Sequence, residues 1–172
     1  KKNGLLKAYP SKRYEVLLNE IERFNDKYGA NIQFLKGRDF LHHLKSSRYY
    51  CGCLDWQSFH FNPLNVIRSL AINLQRKAGK IFEGTKVIDV KRSKVGYRIK
   101  TSTGGIVNAR RVVFATGGYF SKVGGSNLER KLFSLQTTIG VTEPLNGHLS
   151  ETISPTVAIH DNRRAGNYFR ML

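Results

Sequence analysis

The run Arg110-Arg111-Val112-Val113-Phe114-Ala115-Thr116-Gly117-Gly118-Tyr119 constrains the fold of this chain more than any other stretch. A short unbroken apolar segment reads as a strand covered on both faces, as in a parallel sheet. The two glycines at its carboxyl end permit a sharp turn and a close approach of backbone to a ligand. In open α/β sheets, ligands lie just beyond the carboxyl ends of the strands. The same residues also suit a buried strand that ends in an ordinary turn.

The sequence before that run reads as a helix, a short strand and a three-stranded meander. Asn62-Pro63 opens the helix, with Asn as the cap and Pro in the first turn. Ile67, Leu70, Ala71, Leu74 and Ala78 recur at helical spacing and predict one buried face. Arg76 and Lys77 suit the last turn, and Gly79 is expected to stop the helix. A short strand is expected over 80–83. The meander follows over 86–91, 95–101 and 106–109, with turns at Ser93-Lys94 and Thr103-Gly104-Gly105.

The flanks predict a second unit. A strand over 4–8 precedes a helix that starts at Pro10-Ser11, carries Tyr14, Leu17, Leu18, Ile21 and Phe24 on one face and ends at Gly29. A strand over 31–35, a short helix over 37–45 bearing His42 and His43 on its surface, and an extended segment over 49–56 follow. Beyond the meander, a loop over 121–127, a helical turn over 128–132 and strands over 134–143, 156–160 and 167–172 are expected.

These segments, in this order, resemble the FAD-dependent D-amino-acid oxidase superfamily. The residues that carry the resemblance are His60-Phe61-Asn62-Pro63-Leu64, Ile81 to Val87, Thr101 to Val107, and Ala115-Thr116-Gly117-Gly118-Tyr119. Thr142-Glu143-Pro144-Leu145 and Asp161-Asn162-Arg163 through Asn167-Tyr168-Phe169-Arg170 are similar to later segments of the same family. The γ-glutamylputrescine oxidase-like and glycine oxidase-like branches are the nearest in pattern. The implied fold is α/β of mixed character: part of an FAD-binding domain with a β-meander, over 57–119, interleaved with a mixed-sheet substrate domain over 1–56 and 120–172.

The resemblance implies oxidation of an amine or amino acid by hydride transfer to FAD. It places the backbone of Val87 against the adenine end of the cofactor and brings Ala115, Thr116, Gly117 and Gly118 near the dinucleotide. It places Tyr168, Arg170 and His60 toward the substrate, with an arginine fork for a carboxylate and a tyrosine hydroxyl beside it. Strand alternation would put Tyr168 and Arg170 on one face. A surface arginine, a core tyrosine and a packing histidine fit the same positions. Arg163 and Arg164 suit a domain contact or the surface. Gly166 stands where similar chains carry a larger apolar residue, and is expected to loosen its strand.

The chain contains no Gly-x-Gly-x-x-Gly, the turn that binds the pyrophosphate in this family. An internal segment of a larger flavoprotein is therefore expected, inactive and unable to retain FAD alone. Its partners would be a small amine or amino acid and the remainder of the FAD domain or a complementing chain.

Lys and Arg number 29 against 12 Asp and Glu, a formal charge of +17, which raises a second reading: a non-enzymatic basic module that binds nucleic acid or another polyanion. The charges are scattered and carry no aromatic-interleaved motif, so no specific nucleic-acid contact is expected. No metal site is expected. Cys51 and Cys53, two apart, are expected to diverge as reduced structural thiols in a cytoplasmic protein without a membrane span.

Overall fold

The computed structural model describes residues 4–119, 133–144, 147–149 and 151–171. The segments expected as a loop over 121–127 and a helical turn over 128–132 lie outside the described residues. The fold is mixed α/β, as the sequence implied. The chain divides into two compact units: Lys1–Ile67 with Thr142–Leu172, and Arg68–Val141.

The first unit is built on a five-stranded mixed sheet. Its strands are β1 (Leu5–Tyr9), β2 (Ile32–Lys36), β3 (Cys51–Asp55), β7 (Ala158–Asp161) and β8 (Tyr168–Phe169), in the order β2-β3-β1-β7-β8. Strand β1 runs antiparallel to β3 and parallel to β7. Leu6 stands opposite Leu54 on one side and Ile159 on the other, and all three are fully buried. With Ala8, Phe40, Leu44, Tyr49 and Val157 they form the main core. Gly52 makes room for this packing: a Cβ there would lie 2.7 Å from Leu6 Cδ1 and 3.0 Å from Phe40 Cε2.

A smaller cluster joins Leu17 of α1 (Glu15–Tyr28) to Cys51 and Cys53. Residues two apart on a strand share a face. The two thiols therefore do not diverge as expected; they lie in one cluster, both free and buried. Burial pushes the Cys53 thiol up to about 11 and raises Cys51 as well, so neither is a reactive thiolate. Helix α1 buries less than its pattern promised. Leu17 is buried, but Leu18 and Phe24 are exposed, and Phe24 packs on Tyr28 at 4.9 Å between ring centroids. The helix ends at Gly29 in the left-handed conformation, as expected. Asn25 then clamps β2, donating to the Ile32 carbonyl and accepting from its N–H, both at 3.0 Å.

Helix α2 (Gly37–His43) places Phe40 in the core. His43 is not a surface residue. It is half-buried, with its ring edge-on to Trp56 at 6.0 Å and its Nδ1 buried without a partner among the described residues. Burial, with His42 beside it, lowers its pKa.

Helix α3 (Pro63–Arg76) starts as the sequence predicts. The Asn62 side chain accepts the N–H groups of Leu64 at 3.0 Å and Asn65 at 3.3 Å. Its end differs. Ala78, not glycine, takes the left-handed conformation with φ 60°. Ala78 N–H donates to Gln75 O at 3.0 Å and Gly79 N–H to Leu74 O at 2.9 Å, the bond pattern of a Schellman cap. The predicted buried face is also exposed: Ile67, Leu70 and Leu74 are 62%, 59% and 47% accessible. Helical periodicity marks a face that needs a cover, and the described residues supply none.

The second unit contains the three-stranded antiparallel meander β4 (Val87–Ser93), β5 (Gly96–Thr101) and β6 (Ile106–Ala109), close to expectation. Three predicted strands are absent. Residues 80–83 and 134–143 are irregular. The apolar run 112–115 is irregular and largely exposed, with Val113 at 86%, not buried on both faces. A strand needs a neighbour to satisfy its backbone groups, and no described strand pairs with these segments.

Candidate active site

The residues expected near a substrate fall in the first unit. His60 lies between β3 and α3, and Arg170 directly follows β8. The Arg170 guanidinium donates from one Nη1 to the Phe61 carbonyl at 2.9 Å and to His60 Nδ1 at 3.0 Å. A guanidinium has no acceptor, so Nδ1 must accept and the ring proton sits on Nε2. That Nε2 is buried and has no partner among the described residues. Arg170 is half-buried and makes no ion pair with a described carboxylate. The structure thus joins two of the three expected residues.

Tyr168 does not join them. Its ring lies parallel to that of His160, with centroids 5.5 Å apart and planes 8° apart, and it is 79% exposed. The His160 Nδ1–H donates to the Asp161 carbonyl at 3.2 Å, which orients the ring beneath Tyr168.

Beside this pair stands a knot that the sequence reading missed. The Asp161 carboxylate is buried. It accepts the Tyr49 hydroxyl at 2.9 Å, the Arg163 Nε–H at 2.8 Å and the Arg163 N–H at 3.1 Å. The paired Arg163, above all, holds Asp161 far below the usual carboxylate range, while burial and the bond to Asp161 raise Tyr49. Arg163 is therefore a partner of a buried carboxylate rather than a free surface cation. Gly166 does not loosen this segment. A Cβ there would lie 2.5 Å from Asp161 Oδ1 and 2.8 Å from the Arg163 carbonyl, so glycine lets the chain close over the carboxylate. The available signal was Asp followed by Arg two residues on, which suits an Asx-turn, and a glycine before the next strand.

The residues expected near FAD fall in the second unit. Val87 opens β4, the edge strand of the meander, opposite Thr101, with its side chain 38% exposed. Among the described residues no strand pairs with the outer edge of β4. Ala115 to Gly118 are all exposed. Thr116 O accepts the Tyr119 N–H at 3.1 Å and closes a turn around Gly117, whose φ is 58°. No described atom lies within 4 Å of a Cβ placed on Gly117. The Gly118 carbonyl accepts the Ser134 hydroxyl at 2.6 Å, which fixes the far side of the turn. A bare, anchored glycine turn of this kind fits the close approach of a dinucleotide. Among the described residues no cluster of His, Cys, Asp and Glu could hold a metal. No described helix is long and apolar enough to cross a membrane.

The probable oxidoreductase OrdL of Rhizobium meliloti (strain 1021) is 27% identical over 157 residues, which cover 88% of this chain and 35% of OrdL. The chain thus spans about a third of the length of that curated relative. The crystal structure of L-proline dehydrogenase from P. horikoshii shares the fold, with a TM-score of 0.69 at 16% identity over 100% of this chain and 46% of that one. The family described as DAO, FAD dependent oxidoreductase, matches residues 1–171. A match of that extent settles the affiliation: this chain belongs to the DAO family of FAD-dependent oxidoreductases.

Proposed function

We propose that the protein oxidises an amino acid, or an amine bearing a carboxylate, and that Arg170 binds that carboxylate. The observation that carries this reading is the half-buried Arg170 guanidinium, held by His60 and the Phe61 carbonyl and lacking a described carboxylate partner. A guanidinium fork matches a carboxylate through two parallel hydrogen bonds. One Nη1 is spent on positioning, and the remaining N–H groups are left for the ligand.

The chemistry supplied by bound FAD is acceptance of hydride from the C–H bond beside the substrate nitrogen. The residues of this chain bind and orient. Arg170 fixes the carboxylate end, and His60 fixes Arg170. The Thr116–Tyr119 turn offers bare backbone to the dinucleotide, and the β4 edge at Val87 takes the adenine end. No side-chain nucleophile is required. The first compact unit, with His60 and Arg170, serves the substrate, and the second, with Val87 and the Thr116–Tyr119 turn, serves the cofactor.

Two substitutions in the full-length flavoprotein test the reading. Arg170→Ala should raise the KM for a carboxylate-bearing substrate by about 10²-fold at unchanged flavin content, since a charged hydrogen-bonded pair contributes on the order of 1.5–3 kcal/mol. An amine without a carboxylate should be oxidised equally by both proteins. Equal KM values for the carboxylate-bearing substrate would overturn the assignment. Gly117→Val should strip flavin, because a β-branched residue cannot take its left-handed φ cheaply and its side chain would occupy the open cradle. Full flavin occupancy in that variant would make the turn merely a turn.

A further inference from the structure

The contact that orients Arg170 exists in only one charge state of its partner. Arg170 Nη1 donates to His60 Nδ1 at 3.0 Å, which requires that nitrogen to carry a lone pair and no proton. An imidazolium bears N–H groups on both nitrogens and accepts at neither. Histidine is the side chain whose ordinary pKa, about 6.5, puts that change within the physiological range. The other two groups in the contact do not titrate there: the guanidinium stays charged, and its second acceptor is the Phe61 carbonyl at 2.9 Å.

The neighbouring groups leave Arg170 as the charge that His60 faces. Asp55, at the end of β3, is the nearest carboxylate along the chain, and it accepts the Gln57 N–H at 2.8 Å and the Ser58 hydroxyl. The first turn of α3 carries no acidic residue, and the Asn62 side chain is spent on its cap. Asp161, on β7, is taken up by Tyr49 and Arg163. Among the described residues no carboxylate pairs with His60 or Arg170, so none offsets a second positive charge at Nδ1. His60 Nε2 is buried, so water does not reach that side of the ring to solvate an imidazolium.

We propose that His60 is a positioning residue that presents Arg170 only while neutral, so that carboxylate binding is lost as His60 takes up a proton. The inference rests on the reading of Arg170 as the carboxylate-binding residue and adds its regulation. Protonation at Nδ1 removes the acceptor and sets two cations 3.0 Å apart in a half-buried place. Arg170 then swings away from the ring and no longer presents its fork. The new charge also attracts the ligand, but it does so across the guanidinium. The N–H groups left for a carboxylate lie beyond Nη1, further from Nδ1 than Nη1 itself. Charge interactions weaken with distance, so repulsion within the pair outweighs attraction for the ligand. Affinity for a carboxylate therefore falls with falling pH.

Competitive inhibition of the full-length flavoprotein by acetate tests this, because acetate offers the carboxylate without an amine that titrates. From about pH 7.5 to about pH 5.5, across the ordinary histidine range, the inhibition constant should rise about tenfold. His60→Asn puts an amide oxygen, which accepts and does not titrate, where Nδ1 stands. Its inhibition constant should be the same at both pH values. Arg170→Ala should lose acetate at both. A flat wild-type profile, with acetate still lost in Arg170→Ala, would overturn the inference and leave the reading of Arg170 intact. A rise in His60→Asn equal to that of the wild type would do the same, since another group would then be titrating. Acetate held by Arg170→Ala as tightly as by the wild type would overturn the reading of Arg170, and this inference with it.

Discussion

Replacing Gly166 by alanine is the sharpest test of how the substrate-side unit is held together. The added Cβ would sit 2.5 Å from Asp161 Oδ1, 2.8 Å from the Arg163 carbonyl and 3.1 Å from the Asp161 carbonyl, where ordinary contact begins at 3.4 Å. Two of these three atoms are backbone, and the third belongs to a carboxylate already fixed by Tyr49 and Arg163. Moving Oδ1 away lengthens its 3.1 Å bond from the Arg163 N–H beyond useful range. A lost hydrogen bond to a buried charge costs about 1.5–3 kcal/mol, and crowding a packed site adds about 1–3. Alanine returns about 0.4–1 kcal/mol by restricting the unfolded chain. The net expectation is a destabilisation of about 2–4 kcal/mol, or roughly 5–15 °C in Tm for a chain of this size. Thermal unfolding followed by circular dichroism measures it, with Gly140→Ala as the control, since no described atom lies within 4 Å of a Cβ there. If the two variants melt together, the Asp161 knot is not rigid and the reasoning from its geometry is wrong.

Other expectations follow from the same coordinates. Ala78→Gly should raise stability by about 0.5–1 kcal/mol, because it removes a left-handed alanine from the cap of α3; an unchanged urea midpoint would refute the cap. Stability should fall as pH drops below about 6.5, since His43 is held neutral in the fold by burial and the unfolded chain takes up the proton first; His43→Phe should flatten that slope in urea titrations. A second decline belongs below about pH 4, where unfolded aspartate protonates while Asp161 stays ionised, and Asp161→Asn should remove it.

What the sequence made legible was local. The Asn62 cap, the Gly29 stop and the meander each depend on a few neighbouring residues, and each formed as read. What it did not reveal depends on partners far away in the chain. The apolar run 112–115 and the face of α3 carry the right periodicity, yet a strand and a buried face exist only where another segment covers them. The candidate site divides the same way. Alternation suggested that Tyr168 and Arg170 act together, but His160 captures one ring and His60 the other side chain. The Asp161 knot was missed because its Tyr49 donor lies 112 residues upstream, and no local pattern links them.

The parallel pairing of β1 with β7 sets an order of events during folding. Strand β1 lies within the first ten residues and β7 begins at Ala158, with the whole second unit between them. Closing so long a loop raises the entropic barrier, and pairings of high contact order form slowly. The meander, whose strands follow one another directly, is free to form as soon as it is synthesised. The five-stranded sheet must wait for its fourth strand, leaving β1 with one unpaired edge until then. During translation that edge is a template for another chain, so the nascent protein is most prone to aggregation after residue 55 has emerged and before residue 158 has.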